Sequence, residues 1–300
     1  MKASVIVVSY NRAHLLSHCV EKLLHQNFDD YQLIVIDDGS TDETGKMMEE
    51  IKNPKLTHIR YEENKGQPFV RNKGIEEAVG EIIIFVDSDV LVDRDFVRDH
   101  VKLQGKRDKI IVQGLVRHIK KVEDYGIFTL RIDGLCLAGL VTQNVSVKKK
   151  WLEEVGGLET TFGTTMGYED IELGRRLKKI GLKTVYAWRS CLAWHVDGYN
   201  TDERLDTVFN KSYQFGKNAV LFSRLHGKNV GARHLKKNYV YFINKLFGTK
   251  YWVEDKGINY LFKHRNSILA PFLKEIIKYH YRGKGIREAL EDTKKEAQND

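Results

Sequence analysis

Three short runs constrain this chain more than anything else in it: Val5–Val8, Leu33–Ile36 and Ile82–Val86. Each is continuously apolar, rich in β-branched residues, and stops at a polar cluster. A strand that is apolar on both sides must be covered on both faces, as in a parallel sheet between helical layers. The intervening segments fit. Leu15, Leu16, Cys19, Val20, Leu23 and Leu24 recur at helical spacing, and residues 42–52 read as a helix capped by Thr41 or Asp42. Leu56–Tyr61 reads as a further strand, and a helix follows from Pro68 to Val79, the proline sitting where a missing N–H is harmless. The βαβαβαβ order predicts an α/β fold with a mostly parallel sheet and right-handed crossovers.

Composition narrows the class. Of 300 residues, 42% are apolar and 30% charged, with only three prolines, which is the profile of a globular chain. No stretch approaches the ~20 apolar residues of a membrane span. The opening Met1-Lys2-Ala3 runs directly into a short apolar strand rather than a signal-peptide core. Cys19, Cys136 and Cys191 are odd in number and widely spaced, as reduced thiols are. A cytoplasmic location is expected from these features together. Packing is the expected role of all three cysteines; His18 does adjoin Cys19, but no cysteine sits at a helix-start motif.

The net charge of +8 is unevenly distributed. Residues 201–300 hold 20 Lys/Arg against 11 Asp/Glu, and no acid lies between Asp206 and Glu254. We therefore expect a boundary near residues 200–206, with a near-neutral front and a basic extension over 206–300. Helical stripes recur in the extension: Leu235, Tyr239, Phe242, Ile243 and Leu246, then Ile268, Leu269, Phe272, Leu273 and Ile276, each with basic residues on other faces. Such stripes can dock on an anionic membrane or pack against the front of the chain, and both readings stay open. No recognisable nucleic-acid-binding module accompanies the charge, so no nucleic-acid partner is expected.

In parallel α/β sheets, ligands bind beyond the carboxyl ends of the strands. Here those ends carry Ser9-Tyr10-Asn11, Asp37-Asp38 and Asp87-Ser88-Asp89. Asp87 and Asp89 can share a hard divalent cation and leave positions for phosphate oxygens; alone, the triplet could equally be a loop that caps the next helix. Adjacent Asp37 and Asp38 repel one another and exceed what a turn requires. A hydrogen-bond-donating ligand, such as a nucleobase or ribose, would account for them. Together the three ends point to a nucleotide-type ligand.

Several stretches, taken in order, resemble the signature of family-2 glycosyltransferases with the GT-A fold. They are residues 4–12 (SVIVVSYNR), 35–42 (VIDDGSTD), Asn64-Lys65-Gly66 with Arg71-Asn72-Lys73-Gly74, and 85–89 (FVDSD). Further on, Asn144-Val145-Ser146, Gly156-Gly157-Leu158-Glu159 and residues 167–173 (GYEDIEL) resemble its acceptor-side motifs. The resemblance covers about residues 3 to 195, so a GT-A catalytic domain over 1–205 is expected, its donor half about 1–90 and its acceptor half about 91–205. It implies inverting, metal-dependent transfer of a sugar from a nucleotide-diphosphate donor, most simply a UDP-sugar, to a hydroxyl on a glycan, lipid-linked or protein acceptor.

Residue by residue, the resemblance implies that Tyr10, Asn11, Asp37 and Asp38 hold the nucleoside, with Ser9, Arg12, Gly66 and Ser88 also lining the donor site. It implies that Arg71 lines the donor pocket and that Asp87 and Asp89 bind Mn²⁺ or Mg²⁺, the DXD motif. Expulsion of a charged diphosphate calls for a cation, and attack by a hydroxyl calls for a carboxylate on the opposite face. In similar enzymes the second acid of the Glu169-Asp170 pair is the general base, and Glu169 would orient a substrate. Without the resemblance, both acids would simply favour a helix N-terminus. Met166 stands where family members often carry a large aromatic. His195 is a candidate third metal ligand or diphosphate contact, or a structural histidine at a strand end; both remain open. The other ten histidines are expected at the surface or in the core.

Two alternatives fit the sequence less well. A nucleotidyltransferase would want a glycine-rich basic loop after the first strand, whereas Ser9-Tyr10-Asn11-Arg12 has no glycine. A catalytically silent sugar- or polyanion-binding protein would have no need to keep Asp87, Asp89 and Asp170 together.

Overall fold

A computed structural model describes residues 1–129, 132–133, 140–164, 167–196, 205–227 and 270–299. The chain forms two compact units. One comprises Met1–Thr164 and Glu169–Thr201, the other Thr165–Tyr168 and Asp202–Asp300.

The first unit is built as β1 (Ala3–Ser9), α1 (Ala13–Leu24), β2 (Tyr31–Asp37), α2 (Thr44–Glu50), β3 (Leu56–Arg60), α3 (Gln67–Glu77) and β4 (Ile82–Asp87). Then come β5 (Val90–Val92), α4 (Phe96–Gln104), β6 (Ile110–Gly114), β7 (Val116–Ile119), β8 (Ile132–Asp133), β9 (Asn144–Lys148), α5 (Lys149–Glu154), α6 (Glu169–Lys179), β10 (Lys183–Ala187) and β11 (Ala193–Val196). The main sheet has seven strands in the order β10-β6-β9-β4-β1-β2-β3. Only β9 runs antiparallel to its neighbours, so the expected mostly parallel α/β sheet is the one observed.

The continuous apolar runs are explained by burial on both faces. Val5, Val7, Leu33, Val35, Ile84 and Val86 face Leu16, Cys19, Val20 and Leu23 of α1, with Met48 and Phe96. The alternate residues Ile6, Ile34, Ile36, Ile83 and Phe85 face Val70 and Ile75 of α3, with Leu152, Leu173 and Leu177. Each aliphatic side chain so buried contributes ~1.5–3 kcal/mol. This covering on both sides is what fixes the register. Ser9 pairs with Asp37 across β1–β2, and Val8 with Asp87 across β1–β4, so the polar strand ends share one edge.

A second sheet, in the order β5-β11-β7-β8, lies outside the sequence expectation. Its strands are two to four residues long and carry little periodic signal. It matters for the site because β11 pairs His195 with Val90, the residue after Asp89.

A buried polar network ties α4 to β9. His100 is fully buried between Ser146 Oγ and Asn144 Oδ1, both 2.9 Å from its ring nitrogens. Burial drives its pKa down to about 4, so the ring is neutral at pH 7. Asn144 in turn donates to the carbonyls of Cys191 (2.7 Å) and Leu115 (3.2 Å), which holds the chain entering β11. Cys19 and Cys191 are buried, and burial raises both thiols, in keeping with packing roles. Cys136 lies outside the described residues.

The second unit contains α7 (Leu205–His226) and α8 (Ala270–Asn299), which pack closely. Their crossing depends on Gly216 and Gly285: a Cβ at the first would strike the Arg282 carbonyl, and at the second the Tyr213 carbonyl. Tyr213 also hydrogen-bonds Glu288. The predicted stripe from Leu235 to Leu246 lies outside the described residues, as do Ile268, Leu269 and the side chains of Phe272 and Leu273. Ile276 is half-buried. Among the described residues no helix is long and apolar enough to cross a membrane.

Candidate active site

The carboxyl edge of the sheet gathers most of the predicted residues. Asp89 is buried, and its Oδ2 is contacted by Arg12 Nη1 and by His195 Nε2, the latter at 3.3 Å. Burial alone would raise this carboxyl; the His195 hydrogen bond and the charges of His195 and Arg12 outweigh it and hold Asp89 below the usual range. Asp87 behaves oppositely. Burial, then the charges of Asp89 and Asp170, raise its carboxyl despite Arg71.

Arg71 connects the two sides of the site. It projects from α3 and is only 4% exposed. Its Nη2 donates to Asp87 Oδ1 at 3.1 Å, and its Nη1 lies 3.8 Å from Asp170 Oδ1. That second separation is too long for a hydrogen bond. Among the described residues neither Nη1 of Arg71 nor Oδ1 of Asp170 has a hydrogen-bond partner. Two buried, complementary and unsatisfied atoms so placed suit a group that can accept from one and donate to the other, such as a hydroxyl. The other oxygen of Asp170 accepts from both the N–H and the hydroxyl of Thr142, each at 3.0 Å. Asp170 is therefore oriented, with one oxygen committed and one facing the arginine. Glu169, beside it at the start of α6, is also buried.

The nucleoside-side residues are arranged less simply than the sequence implies. Asn11 adopts a left-handed backbone (φ 53°), and its Oδ1 accepts from the N–H groups of Thr41 (2.8 Å) and Asp42 (3.3 Å). It thereby ties the loops after β1 and β2 together. Asp38 accepts from the N–H groups of Lys65 (2.7 Å) and Gly66 (3.1 Å), so both its oxygens are engaged within the chain. Burial raises its carboxyl, with these N–H bonds opposing the rise. Gly66 at φ 90° has no room for a side chain, because a Cβ would strike the Gly163 carbonyl. Asp37 accepts from Ser40 N–H at 3.0 Å and faces Arg60 Nε at 3.6 Å. Ser9 and Ser88 are buried, whereas Tyr10 is 46% exposed at the mouth of the edge.

Asp87, Asp89, Arg71, Arg12, His195 and Asp170 thus form one connected constellation. Asp37, Asp38 and Asn11 shape the adjoining wall. Met166 lies outside the described residues. Sequence reasoning missed three contributors. Thr142 is an isolated threonine 28 residues before its partner, with no motif to mark it. His118 lies beside His195, ring centroids 5.1 Å apart and planes tilted by 47°, because β7 and β11 pair. Asn72, next to Arg71, clamps Leu158 through Nδ2 to its carbonyl (2.9 Å) and Oδ1 to its N–H (2.7 Å). The Arg71-Asn72 dipeptide so serves the site with one residue and braces the Gly157 turn with the other.

The donor set suits a hard cation in part. Burial, then the charges of Asp89 and Asp170, raise Asp87, a cost that a bound divalent ion would offset, and two carboxylates with an imidazole are suitable donors. Among the described residues no group of three His, Cys, Asp or Glu side chains is close enough to form a cage by itself. Ligand oxygens would have to complete the coordination.

Comparison with known proteins bears on the family and the fold. Residues 4–162 match the sequence profile of "Glycosyl transferase family 2". Over 117 residues the chain is 38% identical to the uncharacterized glycosyltransferase YfnE of Bacillus subtilis, covering 38% of this chain and 30% of that protein. It is 29% identical over 144 residues to glycosyltransferase GlyG of Streptococcus pneumoniae, covering 47% and 48% respectively. The matched stretches therefore span a third to a half of these relatives. Among solved structures, S. aureus TarS 1–349 in complex with UDP-GlcNAc superposes with a TM-score of 0.59 at 15% identity, covering 97% of this chain and 92% of that one. The mannosyltransferase PcManGT of Pyrobaculum calidifontis, in complex with GDP-Man and Mn²⁺, gives 0.59 at 17% identity, covering 97% and 87%.

Proposed function

The chain belongs to glycosyl transferase family 2, and from that premise we propose that it transfers a sugar, with inversion, from a nucleotide-diphosphate donor to an acceptor hydroxyl. The observation that carries the reading is the Asp87–Arg71–Asp170 arrangement, in which one buried guanidinium faces a carboxylate at a strand end and another at a helix start.

In this reading Asp170 Oδ1 takes the proton of the attacking hydroxyl, Thr142 keeps the carboxylate aimed, and Arg71 Nη1 holds the same hydroxyl oxygen. Glu169 orients a substrate sugar. Arg12 and Arg71 steady the two DXD carboxylates, with Ser88 between them. Tyr10 covers the base or ribose; Asp37, Asp38, Asn11, Ser9 and Gly66 form the wall against which the nucleoside rests. Asp87 and Asp89, with His195 as a third donor, would hold Mn²⁺ or Mg²⁺ together with phosphate oxygens. When bound, such an ion offsets the charge that develops on the departing diphosphate. UDP is the preferred nucleotide, since the neighbouring TarS structure holds UDP-GlcNAc, although PcManGT holds GDP-Man. The acceptor is a glycan, a lipid-linked saccharide or a protein. We assign catalysis to residues 1–205 and a supporting role to 206–300, with membrane contact by the basic stripes a further function of the extension.

The test is a panel of UDP-glucose, UDP-GlcNAc, UDP-galactose and GDP-mannose, each incubated with the protein and Mn²⁺ or EDTA while nucleoside diphosphate release is followed. Release from one donor, lost with EDTA and restored by Mn²⁺, is expected. Equal release with and without EDTA would remove the metal role. Tight donor binding without any turnover would favour the sugar-binding alternative.

A further inference from the structure

Asp170 is held by Thr142, and Thr142 lies in a turn over residues 141–144 that does little to close itself. The bond that would close it, from the Asn144 N–H to the Val141 carbonyl, is 3.5 Å long. Backbone bonds of that kind normally stay within about 3.2 Å. A side chain from the neighbouring strand supplies the closure instead. Gln113, in β6 and only 1% exposed, accepts the Val141 N–H on Oε1 at 2.8 Å. Its Nε2 donates to the Asn144 carbonyl at 2.8 Å and to the Val141 carbonyl at 3.2 Å. A carboxamide offers an acceptor and a donor group, as a peptide unit does, so one side chain can pin both ends of the turn.

The far end of the turn is fixed in the sheet. Asn144 opens β9, which pairs with β6, and its side chain fills the space beside Gly114, where a Cβ would strike it. The near end follows Leu140, which is wholly buried in the apolar core. Between these ends Thr142 occupies the first central position and is 2% exposed. From there it directs both its N–H and its hydroxyl at Asp170 Oδ2, which leaves Oδ1 facing Arg71 Nη1. Gln113, the turn, Arg71 and Asp170 all belong to the first compact unit.

We propose that Gln113 is a positioning residue for Asp170, acting through the turn that carries Thr142. By closing that turn from β6, it fixes where the two Thr142 donors sit and so which way the Asp170 carboxylate is rotated. This rests on the reading of Asp170 as the base. Gln113 touches neither Asp170 nor the acceptor hydroxyl in this scheme; its leverage is geometric. A reacting group displaced by about 1 Å can lose ~10²-fold in rate, and a turn released at both ends permits a shift of that size.

The experiment uses the full chain as wild type, Gln113→Met, Gln113→Asn, Asp170→Asn, and each Gln113 change combined with Asp170→Asn. Gln113→Met keeps the length and loses every polar contact; Gln113→Asn keeps a buried amide that falls one methylene short of the turn. Amide hydrogen exchange is read at Thr142 and, as a check on the fold, in β1 and β4. Exchange about tenfold faster at Thr142, with β1 and β4 unchanged, is the expected result for both Gln113 variants. Unchanged exchange at Thr142 would overturn the proposal. So would loss of protection in β1 and β4 in both variants, since Gln113 would then serve the fold as a whole.

Turnover is measured on the same samples with the donor that the wild type uses. The expected kcat is about 10- to 100-fold lower in Gln113→Met and less reduced in Gln113→Asn, with donor affinity within about twofold. In the Asp170→Asn background the same changes should alter the residual rate by less than about twofold, because residues that act as a unit are not additive. A purely structural role would instead give a full second loss there, and that result would overturn the proposal, as would an unchanged kcat or weakened donor binding. A wild-type protein that turned over no donor would remove the parent reading, while the exchange data would still decide whether Gln113 holds the turn.

Discussion

Replacing Asp170 by Asn is expected to lower glycosyl transfer by about 10²–10⁴-fold and to leave donor affinity near the wild-type value. The amide keeps the size of the side chain, and its oxygen can still accept from the Thr142 N–H and hydroxyl that now hold Oδ2. What disappears is the basic oxygen facing Arg71 Nη1. Donor affinity should hold because, in the proposed division of labour, Asp87, Asp89 and the nucleoside wall carry the donor. Calorimetric titration of the nucleoside diphosphate, alongside turnover in the same buffer, separates the two quantities. Turnover close to wild type would shift the role to Glu169, the buried neighbour. Loss of nucleotide binding would place Asp170 in the donor site instead.

Arg71→Met has the second large effect, and it falls on both stability and rate. Methionine replaces the length and apolar stem but leaves Asp87 and Asp170 facing one another without the intervening cation. Removing one partner of a fully buried ion pair costs ~3–5 kcal/mol. Here the carboxylates keep some solvent, with Asp87 30% and Asp170 21% exposed, so a loss of about 2–3 kcal/mol is expected. Denaturant unfolding measures it. Turnover should fall by at least the general-base factor, since the variant loses both the anchor for the hydroxyl and the brace on Asp87. Arg71→Lys retains the charge but not the fork that reaches two carboxylates, so it should recover stability more than rate. A variant with wild-type stability would mean that the arginine is not the link between the two acids.

How much of this was legible beforehand depends on the length of each element. The strands β1, β2 and β4 announce themselves because six or seven residues buried on both faces leave an unbroken apolar run. Their polar ends are equally legible, because a strand end at a sheet edge is where polar side chains can gather. The start of α6 is legible in the adjacent acids Glu169 and Asp170, which favour a helix N-terminus. The second sheet was invisible: strands of two to four residues have no period to read. Its consequence, His195 beside Asp89, was reachable only as a resemblance. Arg12 illustrates a different limit. The resemblance places it in the donor site, yet its observed partner is Asp89, 77 positions away, and nothing local to either residue predicts that pairing. The same holds for Thr142 and Asp170. Asp37 and Asp38 were read as surplus to a turn because adjacent acids repel; the fold uses much of that surplus itself, on Ser40, Lys65 and Gly66 N–H groups.

The central claim is a single displacement, with the base on one side of the sugar and the diphosphate on the other. It is tested most directly by following, by proton NMR, the sugar released when the protein hydrolyses an α-linked UDP-sugar in water. Water then stands in for the acceptor, and the anomeric signal reports which face it attacked before mutarotation blurs the record. The account predicts that the β anomer appears first, at a rate that collapses in Asp170→Asn. First appearance of the α anomer would mean a double displacement or a front-face route, and would contradict the placement of Asp170 opposite Asp87 and Asp89.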